Sequence, residues 1–93
     1  MKLLIFGVYD SAVQAFLQPM FFRSKGEGIR AFTAAANEEG HQFKKHASDY
    51  TLFFLGDYDD GGAVFTPLSA PERMVTALEV LNDDVFPPGR KVS

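Results

Sequence analysis

The stretch YTLFFLGDYDDGGAVFTPL, Tyr50–Leu68, decides the fold. Its outer parts, Tyr50–Tyr58 and Ala63–Leu68, are rich in aromatic and β-branched residues, as strands are. Between them lies DYDDGG, which sets Asp57, Asp59 and Asp60 beside Gly61 and Gly62. Such a segment is either a cation-binding loop or the turn of a hairpin. A calcium loop between two helices needs oxygen ligands at its first, third and fifth places, glycine at the sixth and glutamate at the twelfth. Counted from Asp57, Asp59 and Gly62 fit, but Gly61 has no side-chain oxygen and Leu68 stands where glutamate is needed. The flanks also read as strands. We read the segment as a hairpin turn whose glycines supply positive φ. A weak divalent site on Asp57, Asp59 and Asp60 is the alternative.

Toward the N-terminus, KLLIFGVY (Lys2–Tyr9) is apolar at nearly every position, which suits a strand covered on both faces. DSAVQ (Asp10–Gln14) interrupts it with turn formers, and AFLQPMFFR (Ala15–Arg23) returns as a second run. Pro19 cannot donate to a ladder, so this second strand belongs at an edge or carries a bulge. Ser24 and Glu27 form a capping-box signature, opening a helix over Lys25–Glu38 with Ile29, Phe32, Thr33 and Ala36 at helical spacing and Gly40 as the stop. His41–Asp49 reads as a polar connector.

Beyond the hairpin, Ser69 and Glu72 repeat the capping logic. Pro71 suits a first turn, and Met74, Ala77, Leu78 and Leu81 make one stripe, so SAPERMVTALEVLN reads as a second helix. DDVFPPGRKVS is a loosely ordered tail. The order β-β-α-β-β-α predicts an α+β fold: an antiparallel sheet of two β-hairpins packed by one helix, with a C-terminal helix. Residues 1–82 form one domain and residues 83–93 the tail. The last helix or a second copy of the chain would cover the remaining sheet face.

Ninety-three residues hold one core with a poor ratio of volume to surface, which favours self-association. Ten phenylalanines and three tyrosines are a heavy load for that core, so some rings belong at an interface or on an open face. The formal charge is −3 and the pI about 5.2, so nucleic-acid binding would need a local basic patch. There is no cysteine, which excludes disulfides, zinc thiolates and a thiol nucleophile. The N-terminal apolar run is too short for a membrane span.

Catalytic signals are weak. His41 and His46 lie five residues apart in a connector, which matches no metal-ligand spacing, and we read them as solvated. No nucleophile has an orienting partner, so the chain reads as non-enzymatic, with no cofactor and no metal. KGEG before the helix lacks the spacing of a phosphate loop and reads as capping; amides offered to a phosphate are the alternative. The basic residues carry more. Arg23, Lys25 and Arg30 surround the start of the first helix, and Lys44 and Lys45 follow it, while most acidic residues lie elsewhere. Cations beside exposed rings grip single strands, the cations on phosphates and the rings on bases. Tyr9, Phe21, Phe22, Phe43 and Tyr58 are the candidate rings. No RRM or OB-fold signature accompanies them.

As a set, YDSAVQAF, GEGIRAF, DYTLF and the DD turn resemble the small nonstructural protein of gokushovirus-like Microviridae, bacteriophages with single-stranded DNA. The resemblance runs from about Met1 to Asn82 and contains no catalytic motif. It implies a DNA-binding protein that acts in the bacterial cytoplasm while progeny strands are made. On that expectation a homodimer contacts phosphates through Arg23, Lys25, Arg30, Lys44 and Lys45, and stacks bases on Tyr9, Phe22 or Phe43. A protein-interaction module acting on the phage replication initiator or the procapsid is the alternative.

Overall fold

A computed structural model describes residues 1–81; the expected tail lies outside them. The architecture is the predicted α+β one. The elements run β1 (Lys2–Asp10), β2 (Ala15–Phe16), β3 (Met20–Phe22), α1 (Lys25–Ala36), α2 (Gln42–Lys45), a 3-10 turn (Ala47–Asp49), β4 (Tyr50–Asp59), β5 (Val64–Thr76) and α3 (Ala77–Leu81). All strand pairs are antiparallel, in the order β2-β1-β4-β5, with β3 also on β1. Pro19 falls between β2 and β3 and splits that edge strand, as its missing N–H requires. The other edge, β5, contains Pro67 and Pro71.

The core lies on one side of the sheet. Phe6 and Val8 of β1, Leu52 and Phe54 of β4, Phe32 and Ala36 of α1, and Ala77 and Val80 of α3 are buried together. Helix α1 reaches the sheet through Gly28, where an added Cβ would stand 3.0 Å from the Phe6 ring. Its N-terminus is capped as the sequence predicts: the Glu27 N–H donates to Ser24 Oγ at 3.1 Å, and Glu27 Oε1 accepts from the Arg23 N–H at 2.7 Å. Asn37 Nδ2 donates to the Val80 carbonyl at 3.2 Å, joining α1 to α3.

Four expectations are corrected. The connector is not simply polar: it folds as α2 and the 3-10 turn, and it seats Phe43 against Phe32 and Tyr50. The segment from Ser69 is not helical. It prolongs β5 to Thr76, because pairing with β4 outweighs local propensity. The chain has a third S/T-x-x-E signature at Thr76 and Glu79, and that one caps α3. The Glu79 N–H donates to Thr76 Oγ1 at 3.0 Å and the Thr76 N–H to Glu79 Oε1 at 2.9 Å. Helix α3 packs beside α1, so it does not cover the opposite sheet face. Finally, the positive φ of the β4–β5 turn falls on Ala63, at 57°, not on Gly61 or Gly62.

That turn has a twin. In the β1–β2 loop, Asp10 Oδ1 accepts from the Ala12 N–H at 3.0 Å and Gln14 has φ 56°. In the β4–β5 loop, Asp59 Oδ1 accepts from the Gly61 N–H at 2.9 Å, and Ala63 takes the place of Gln14. Both hairpins therefore close through an aspartate that bonds two residues ahead, with a left-handed residue before the returning strand.

Strand β4 carries a bulge. Its register with β1 shifts between Phe6, opposite Phe54, and Ile5, opposite Gly56, leaving Leu55 unmatched. Opposite the same Leu55, β5 runs through the four residues Leu68–Pro71 between Glu72, partner of Phe54, and Pro67, partner of Gly56. Gly56 has φ 151°, and an added Cβ would lie 2.4 Å from the Thr66 carbonyl oxygen. Gly56→Ala should therefore lower stability by at least about 2 kcal/mol in urea unfolding. Thr76→Ala should cost about 1 kcal/mol, whereas Ser69→Ala should stay within about 0.5 kcal/mol of wild type.

The Glu79 carboxyl is held below its ordinary pKa, first by the Thr76 N–H and then by Arg73. A depressed carboxyl stabilises while it is ionised, so this contribution is present above about pH 4.3 and fades as pH falls through the lower folded value. The difference in urea midpoint between wild type and Glu79→Gln should shrink on acidification through that range.

Candidate nucleic-acid interface

Strand alternation gives the sheet two unlike faces. Phe6, Val8, Leu52 and Phe54 point into the helical layer. Their neighbours Tyr9, Phe53 and Leu55 point the other way. An added Cβ on Gly7 would meet Leu55 Cδ1 at 2.9 Å and Phe16 Cδ1 at 3.2 Å, which places those side chains together on the far side. Ile5 is only 8% exposed yet stands apart from the helical core, sealed on this far side.

The bulge extends this far face. Ahead of it Tyr50, Leu52 and Phe54 face the helices; beyond it Asp57 does, opposite Leu4, and Tyr58 faces away, opposite Leu3. An unbroken alternation would have turned Tyr58 inward. The switch has a cost, since Asp57 Oδ1 is buried with no hydrogen-bond partner among the described residues.

Two ring clusters result. Tyr9, Phe16 and Phe53 meet edge to face, with centroids 5.1, 6.3 and 5.5 Å apart. Phe21, Tyr58 and Phe65 form the second cluster, with Tyr58 5.7 Å from Phe21 and 4.6 Å from Phe65. Among the described residues no helix covers these rings. Phe16, Phe21 and Phe65 are 43%, 42% and 60% exposed.

The residues singled out from sequence do not share one surface. Tyr9 is on the open face. Phe22 turns inward, edge-on to Phe6 at 5.8 Å, and Phe43 packs tilted against Tyr50 at 4.6 Å. Lys25 is on the helical side, 3.7 Å from Glu72 and 4.8 Å from the centre of the Phe54 ring. Arg30 is exposed on α1, and Lys45 is exposed on α2. Lys44, also on α2, pairs with Glu39, whose pKa it lowers. Arg23 follows β3 at the sheet edge. Most of the cations thus sit across the sheet from the open rings.

Sequence reasoning missed Phe16, Phe53 and Phe65, and also Arg73, which stands opposite Phe53 on β5 and pairs with Glu79 at 2.8 Å. Alternation within β4 and β5 was the signal for Phe53, Phe65 and Arg73, and the helix expected after Ser69 hid it for Arg73; Phe16 lies in the two-residue β2, too short to show one.

The aspartates of the opening stretch serve the turn. Asp59 bonds the Gly61 amide, and Asp60 holds the Met1 ammonium at 3.0 Å, which raises the pKa of that amine. Tyr50 donates its hydroxyl to Gln42 Oε1 at 3.1 Å; burial, then the nearby Asp10 and Asp49, push its pKa up. No described helix is long and apolar enough to cross a membrane.

The chain is thus an α+β two-layer fold whose second sheet face carries two ring clusters. A family described as "Phage ORF5 protein" matches residues 3–80, and the chain belongs to that family. This bears out the phage origin implied by the resemblance. No curated protein and no solved structure matches the chain.

The two sets of rings differ in what they hold up. Phe22→Ala and Phe43→Ala should each lower unfolding free energy by roughly 1.5–3 kcal/mol, whereas Phe65→Ala should change it by less than about 0.5 kcal/mol.

Proposed function

We propose that this phage protein is a non-enzymatic binder of single-stranded DNA that stacks bases on the sheet face that no described helix covers. The observation that carries the reading is the pair of ring clusters on that face, Tyr9, Phe16 and Phe53 beside Phe21, Tyr58 and Phe65. Base stacking on such rings is worth about 1–3 kcal/mol per base and tolerates any sequence. Arg23 and Arg73, at opposite edges of the sheet, are the cations best placed for the phosphates. Lys25, Arg30, Lys44 and Lys45 contribute attraction at a distance. The resemblance to the nonstructural protein of gokushovirus-like Microviridae supports a role in progeny-strand synthesis in the host cytoplasm.

A second reading, a module that docks on a phage protein such as the replication initiator or the procapsid, is favoured by one observation. The open face is nearly free of charge, and the chain is acidic overall.

Salt separates these readings. Titration of a labelled oligothymidylate, followed by anisotropy, should give a log–log salt slope near −1.4, about 0.7 for each of two phosphate contacts. A slope near −3.5 would instead assign the contacts to the five cations chosen from sequence. Phe16→Ala or Phe65→Ala should weaken binding by roughly 5- to 150-fold. Absence of binding at low salt would sink the proposal.

A further inference from the structure

We propose that, without nucleic acid, two copies of this chain close on one another through the sheet face that no described helix covers. The inference deepens the strand-binding reading, because it gives the same face a second occupant. Over the nine residues of β1, four rows about 4.8 Å apart (β2 with β3, β1, β4 and β5) span roughly 19 by 30 Å, or about 570 Å². That lies at the upper end of the apolar patches that monomers leave in water, about 300–600 Å². Two such faces together bury about 1,100 Å², close to the lower bound of roughly 1,200 Å² for specific interfaces.

The distribution of charge leaves room for a second copy on this face. Each chain carries −3, so two copies repel in general, but the open face itself is built from Leu3, Tyr9, Phe53, Leu55 and Tyr58 around the buried Ile5. The acidic residues Asp59 and Asp60 stand at the hairpin tip, at one end of that face. A two-fold axis running across the strands keeps the two tips at opposite ends of the interface. Sheet faces stack about 10 Å apart with strands crossing near −30°, and the exposed Phe16, Phe21 and Phe65 rings fill such a gap. Edge-to-edge pairing is a poorer route, since Pro19 interrupts one margin and Pro67 and Pro71 the other.

The test is sedimentation equilibrium of the full chain over micromolar concentrations, without DNA. Wild type should sediment at twice the chain mass. The Phe16→Glu/Phe65→Glu variant should sediment at the single chain mass, with its circular dichroism unchanged. A Phe65→Glu variant alone, at the most exposed ring, guards against misfolding of the double one and should weaken the dimer at least tenfold. A monomeric wild type at every concentration overturns the inference, as does a folded variant that stays dimeric. The readout needs no DNA. Failure of oligothymidylate binding therefore counts against the strand-binding reading alone, while a wild-type monomer counts against the dimer alone.

Discussion

The structure depends on one irregularity, the bulge at Leu55 and Gly56. It lets β4 present Leu52 and Phe54 to the helices and then, past the extra residue, turn Tyr58 to the opposite side. The two central strands could otherwise not supply both a sealed core and a continuous aromatic face. Only glycine fits at position 56, because the returning β5 backbone lies against it. A residue type that weakens strand interiors thus fixes the orientation of the rest of β4.

Much of the fold was legible in the residues. Near-continuous apolar runs marked β1 and β4, Pro19 marked an edge, and Ser24 with Glu27 marked the start of α1. The turn at DYDDGG was legible too, because ligand chemistry could be excluded place by place. What failed was local reasoning after Ser69. Two equivalent capping signatures lie seven residues apart, and nothing local ranks Ser69 above Thr76. The choice is made by the exposed edge of β4, which recruits residues through Thr76 as a strand. That is a tertiary effect, invisible to a window of neighbouring residues.

The site was legible only in kind. Surplus rings for so small a core implied an exposed aromatic surface, and the sheet supplies one. Which rings lie on it depends on strand parity and on pairing across strands, and neighbouring residues alone do not give the pairing. Phe22 in the three-residue β3 and Phe43 in α2 pack inward, whereas Phe16, Phe53 and Phe65 face the open side. Clustering of cations along the chain also failed to mean clustering beside those rings. Arg30, Lys44 and Lys45 travel with the helical layer, and the sheet stands between them and the open face.

The prolines in the outer strands bear on what the molecule cannot become. A sheet with one greasy side and long outer strands is a template on which further chains can add, one after another, toward a fibril. Here both margins lack a full row of amide donors, because Pro19 breaks one and Pro67 and Pro71 stand in the other. Sideways growth is terminated in the sequence itself. The chain can therefore display a sticky plane and still be kept from open-ended sideways growth.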